Sequence, residues 1–352
     1  MIYSICILLL SLCPCLLAQS VKFHFPEPHD DRWMYPHNGT PGTRPQASTF
    51  SALPLSAGSD DRWAFFLLGF QTSQQVPVNL PPEFYRIRSV RITATVGSDN
   101  YFRYDGSYDS WQTYATTTRS AQVADADIGR PVELHGVGFR NGFNASNFTE
   151  FSAHGSSSPG MRNAFPMSYS PNGTAIDISS NVTQAFESNA WAIGQSDISP
   201  GGWVPEGTEL RFDLNLTIPG VRTYLQQSLS AGRLWLAIDS MHPAFEMGGE
   251  FVPLYTKEDF GHELFGGLAP TLEIEVEIAH PLHFQIVNQQ VHLQWPTYAG
   301  NQYVLQTSTN LALGSWQNLS QIRVTQHSSS QFTTPFTIGS RFFRLSIQPI
   351  TP

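Results

Sequence analysis

The chain has 352 residues, of which 41% are hydrophobic and only 13% charged, with a formal net charge of -9. That length accommodates one large or two medium domains with a proper core. An acidic, Lys-poor chain lacks the positive field that nucleic acid or an anionic membrane surface requires, which argues against both partners. Abundant Gly, Pro, Ser, Thr and Asn suit many short strands joined by turns.

Residues 1–18 read as a secretory signal peptide. The apolar run from Ile5 to Leu12 is too short to span a bilayer and is followed by small residues, so cleavage is expected after Ala18. Cys13 and Cys15 invite a lipoprotein reading, but Leu12 and Pro14 before them fit that cleavage site poorly. The 3 cysteines all lie in this segment, leaving the mature chain with neither disulfide nor thiolate. No later apolar run is long enough for a membrane span. The expected localisation is therefore secreted, extracellular or periplasmic.

Residues 19–59 lack a sustained period and are expected to form an ordered arm with one short strand. The tetrapeptide Asp30-Asp31-Arg32-Trp33 recurs as Asp60-Asp61-Arg62-Trp63, which reads as coincidence or a repeated turn. From Trp63 to Phe70 both parities are apolar, as in a strand covered on both faces. Val90, Ile92, Ala94 and Val96 then alternate with Arg91, Thr93 and Thr95, the pattern of a strand with one buried face. Pro77, Pro81 and Pro82 force the connection between the two to run outside the sheet.

Residues 99–114 form a loop dense in aromatics and acids. A second long irregular stretch covers residues 136–170, and loops of such length tend to be functional or mobile. Alternation resumes over residues 209–218. Val221, Tyr224, Leu225 and Leu229 follow helical spacing up to Gly232, which suits a C-terminal cap. Strands are expected over residues 233–238 and 271–278. Beyond Ala279-His280-Pro281, alternation at Val291/Leu293/Trp295, Tyr303/Leu305/Thr307 and Phe343/Leu345/Ile347 predicts a small all-β module.

With these strands placed, the first domain resembles the secreted DNRLRE-type β-sandwich domains, which are related to carbohydrate-binding modules. The likeness rests on Phe65 to Phe70, Tyr85 to Ile92, Leu210 to Leu214, the helix leading into Gly232 to Ile238, the turn Tyr255 to Glu258, and Pro270 to Ile274. It implies a jelly roll and, for some members, a carbohydrate ligand. The last seventy or so residues resemble the fibronectin type III-like modules that end many bacterial secreted proteins, through Leu293-Gln294-Trp295-Pro296, Tyr303 to Leu311 and Phe342 to Leu345. The expected fold class is thus all-β: a jelly-roll β-sandwich over residues 60–279, then a small fibronectin- or immunoglobulin-like β-sandwich over residues 282–349.

Aromatic faces pack on sugar rings while carboxylates accept hydroxyl hydrogen bonds, so Tyr101, Tyr104, Asp105, Tyr108, Asp109 and Trp111 are the candidate ligand-binding residues. Asp99, Asp105 and Asp109 could instead hold a structural calcium ion. The alternative to both is that the rings cover the end of the sandwich and the acids cap turns. Glu273, Glu275 and Glu277 share a face of the strand over residues 271–278, and a glycoside hydrolase or lyase needs two such carboxylates. His24, His29 and His37 in the arm invite a zinc or copper site but read better as surface histidines. Lys257 and Glu258 suggest a structural ion pair. No nucleophile elbow, phosphate-cradling loop or dinucleotide fingerprint occurs. The leading expectation is a secreted, non-enzymatic protein that binds a polysaccharide or cell-surface glycan, with no required cofactor. A glycoside hydrolase or lyase and a purely structural surface or adhesion component are the alternatives.

Overall fold

The computed structural model describes residues 20–350, except 53, 57, 246–247, 260–267, 311, 313–314 and 337–340. The expected signal peptide lies outside the described residues, and so do all three cysteines.

Two antiparallel sheets face each other. The smaller, four-stranded sheet runs in the order Val21–Phe25, Thr271–Ile278, Tyr85–Thr95, Glu209–Asp213. The larger runs Asp30–Met34, Phe65–Phe70, Leu234–Ser240, Val132–Phe139, Ala164–Tyr169, Ala175–Asp177, with Ala192–Ile193 also pairing to Val132–Phe139. Alternation decides what lies between them. Ile87, Val90, Ile92, Phe212, Leu272 and Ile274 meet Phe66, Leu68, Phe70, Leu236 and Ile238 in one buried cluster. The chain thus belongs to the all-β class expected from its sequence.

The doubly apolar strand Phe65–Phe70 accounts for a third layer. Its inward parity feeds the inter-sheet core. Its outward parity, Phe65 and Leu67, packs with Val137, Trp235 and Ala237 under Phe148, with Phe139 and Phe143 alongside. The outer face of the large sheet is therefore roofed by the long loop over residues 140–163 instead of by helices or a further sheet.

Val221–Ala231 is the one α-helix among the described residues, and it buries Val221, Leu225 and Leu229. Gly232 ends it at φ 78°, which an L side chain rarely adopts, while the Arg233 N–H returns to the Ser228 carbonyl at 3.0 Å. Two expectations need amendment. The arm contributes four strands, Val21–Phe25, Asp30–Met34, Gln46–Thr49 and Ser51–Ala52, and the first two complete edges of both sheets. The strand expected over residues 209–218 stops at Asp213, because the Asn215 carboxamide oxygen accepts from the Thr217 N–H and hydroxyl and turns the chain.

The C-terminal strands form two three-stranded sheets around Val291, Leu293, Trp295, Tyr303 and Leu305. Asn301 joins them to the sandwich: its oxygen accepts from the Val78 N–H at 3.0 Å and its amide donates to the Val78 carbonyl at 2.6 Å. No helix among the described residues is long and apolar enough to cross a membrane.

Candidate functional site

The acidic, aromatic loop after Tyr85–Thr95 folds against the segment over residues 195–204 at one end of the sandwich. Backbone hydrogen bonds run from Asn100 to Val204, from Tyr104 to Gly202 and from Gly201 back to Tyr104. Within this frame the six candidate residues separate. The Tyr104 ring is buried at 5% exposure, and its hydroxyl accepts from the Ser196 N–H. It is a packing residue. Tyr101 and Tyr108 remain exposed, Tyr101 leaning on Phe251 with ring centroids 4.4 Å apart and Tyr108 donating to Glu187. Trp111 is half-buried, with the Arg119 guanidinium 4.6 Å from its ring. Asp105 and Asp109 are buried.

The sequence reading missed Trp203. Its indole is 44% exposed, although the Arg103 guanidinium lies 4.4 Å from its ring. Ile128, exposed as well, sits against Gly201 two residues away. Beside this segment is a groove of about 300 Å³ lined by Asp197, Ile198, Thr208, Glu209 and Arg211. Asp197 and Arg211 pair across it at 3.1 Å, leaving charged, hydroxyl and apolar groups together. Trp203 follows two glycines in a stretch without period, so only its solitary aromaticity in a loop could have marked it.

The acids of the loop draw together around a new member. Carboxylate oxygens of Asp105, Asp109 and Asp127 lie within 4.8 Å of one another. Asp99, expected with them, instead accepts from the Glu206 N–H at 2.7 Å. Burial raises the Asp105 carboxyl above the usual range, and the Asp127 and Asp125 carboxylates add to it. Burial also pushes Asp109 up to about 6, opposed by Arg130 at 2.8 Å and reinforced by Asp125 and Asp105.

A second polar cluster is fully enclosed on the outer face of the large sheet. Arg62 pairs with Asp239 and, at 2.6 Å, with Glu133, while His135 Nδ1 is 2.8 Å from the other Asp239 oxygen. Burial alone would lower the Arg62 pKa, but Asp239 and Glu133 overcome it and raise it. Burial would raise Asp239, and Arg62 and His135 bring it below the ordinary value instead. The repeated tetrapeptide acquires a meaning here. In the second copy Asp60 holds Arg162 at 2.6 Å and Asp61 accepts from the Thr183 N–H at 2.7 Å. In the first, Asp30 pairs with Arg233 at 2.9 Å and accepts from the Glu150 N–H at 3.3 Å. Both copies fasten loops of residues 149–183 to the sheet.

The three carboxylates on Thr271–Ile278 do not act as a set. Glu273 lies 3.9 Å from His24, and Glu275 accepts from the Ser20 hydroxyl. Glu277 stays on the outer face, where the bulge opposite Glu275/Val276 brings both Arg86 and Arg88 beside it and they take its two oxygens. None of the three lines the groove at Asp197 and Arg211 or the cleft lined by Glu27, His29 and Gln74. The arm histidines are dispersed: His24 faces Glu273, His29 offers its carbonyl to Lys257, and His37 meets Tyr35 edge-on. Lys257 pairs with Glu150 and lies 3.7 Å from Glu258.

A scan against protein-family models and a search of curated proteins both find no match for the chain.

Proposed function

We propose that this is a secreted, non-enzymatic protein that binds a polysaccharide or cell-surface glycan through the loops at one end of its sandwich. The observation that carries the reading is Trp203, an exposed indole on the same 195–204 segment whose Asp197 and Ile198 line a groove with Thr208, Glu209 and Arg211. Sugar rings stack on aromatic faces and exchange hydroxyl hydrogen bonds with charged side chains; the segment supplies the first through Trp203 and the groove the second through Asp197, Glu209 and Arg211. Tyr101 and Tyr108 extend the aromatic surface on the adjoining loop. The resemblance of the strand pattern to carbohydrate-binding modules points the same way.

A glycan array followed by pull-down on insoluble polysaccharides tests it. Retention should fall roughly tenfold in Trp203→Ala, the loss expected for about 1.4 kcal/mol of stacking, with a smaller loss in Tyr101→Ala. Absence of any glycan ligand, or retention unchanged in Trp203→Ala, would overturn the proposal.

A further inference from the structure

We infer that Asp105, Asp109 and Asp127 form a binding site for a divalent cation of the calcium class. Three carboxylates close together are common on protein surfaces without a metal, so the argument rests on Asp105. Its residue is only 2% exposed. One carboxylate oxygen accepts from the N–H and hydroxyl of Ser107 at 2.7 and 2.8 Å, whereas the other, Oδ2, is buried and has no hydrogen-bond partner. A buried, unserved carboxylate oxygen is costly, and this one belongs to a residue whose carboxylate lies within 4.8 Å of those of Asp109 and Asp127.

The charge count makes the same point. Asp105, Asp109, Asp125 and Asp127 cluster about a single cation, Arg130, which pairs with Asp109 and Asp125. Neither Asp105 nor Asp127 has a basic partner among the ion pairs of the described residues. The Ser107 hydroxyl bridges them, donating toward Asp105 and lying 2.9 Å from Asp127 Oδ2. Carboxylate oxygens within 4.8 Å of one another can share a cation at roughly 2.3–2.6 Å. An all-oxygen donor set with several carboxylates on loops suits calcium, which tolerates irregular geometry and fills its remaining positions with water. Magnesium demands a stricter octahedron.

The site does not depend on the glycan reading, and its test does not use a glycan. Calcium is titrated calorimetrically into the full chain after chelator treatment, with thermal unfolding followed in parallel. Saturable binding of about one ion per chain and a rise in Tm are expected. Asp127 is exposed, so Asp127→Asn should fold normally while weakening calcium binding roughly tenfold or more through the lost ligand charge. Asp105→Asn should lose binding as well, and in the absence of metal it should melt no lower than the parent chain. Glu258→Gln, in the separate group of Asp31, Glu150 and Glu258, should bind calcium as the parent does. No calcium-dependent heat or Tm shift at millimolar metal would overturn the inference. So would binding undiminished in Asp127→Asn, or binding lost in Glu258→Gln alone.

Discussion

Two of the acidic clusters among the described residues differ in how their charges are matched. Around Arg62, each carboxylate has a basic partner: Asp239 sets one oxygen against Arg62 and the other against His135, Glu133 is ion-paired with Arg62, and Asp60 is held by Arg162, the Gly160 N–H and the Ser180 hydroxyl, although Glu133 Oε2 and His135 Nε2 make no hydrogen bond. Around Asp105, four acids share one arginine and a buried oxygen is left unserved. The first cluster lies beneath loops on the outer face of the large sheet, the second at the open end of the sandwich beside the exposed rings. Acids matched by basic side chains in the interior fix loops in place, while acids that outnumber their one arginine near the surface are free to take a further cation.

The largest effect should come from breaking the enclosed cluster. Arg62→Met leaves Asp239 and Glu133 buried without their shared cation, and a loss of about 3–5 kcal/mol is expected in chemical denaturation. A loss below about 1 kcal/mol would show that the cluster is not the fastening described. Next in size is a test of how burial acts on a histidine that lacks a charge partner. His280 sits among Phe84, Tyr298 and Tyr303, where burial lowers its pKa from 6.5 to about 4. Below pH 6.5 the unfolded chain takes up a proton that the fold refuses. Stability from this group is therefore intact above pH 6.5 and falls by about 3 kcal/mol as the pH drops toward 4. In His280→Phe that share of the acid-induced decline should vanish, so the variant gains on the parent chain steadily between pH 6.5 and 4. A difference in unfolding free energy that stays flat with pH would contradict this. The smallest stability effect belongs to the open end: Trp203→Ala removes an exposed side chain and should shift unfolding by no more than about 0.5 kcal/mol while reducing glycan retention.

Much of this was legible in the sequence. Period-two alternation located Tyr85–Thr95, Thr271–Ile278, Gln290–Thr297 and Asn301–Ser308, and Gly232 marked the helix end, because burial of one face imposes those patterns directly. The enclosed cluster was not legible. Arg62, Glu133, His135 and Asp239 come from three distant segments, and in Val132–Phe139 the alternating Glu133 and His135 mimic a wet face. Only the loops that roof the sheet convert that face to an interior. Within the acidic, aromatic loop the sequence identified the right residue types but could not separate Tyr104, which faces the core, from Tyr101 and Tyr108, which do not. A loop has no period from which direction could be read.

On the proposed reading the open end meets the ligand while the enclosed layer only holds the fold. The most direct measurement is an NMR titration of the nitrogen-15-labelled full chain with a soluble oligosaccharide from whichever polysaccharide retains it, following the tryptophan indole N–H signals. The Trp203 indole signal should shift progressively while those of Trp191 and Trp235, both fully buried, stay in place. A Trp203 signal that stays in place at saturating ligand, or shifts confined to Trp191 and Trp235, would contradict that reading.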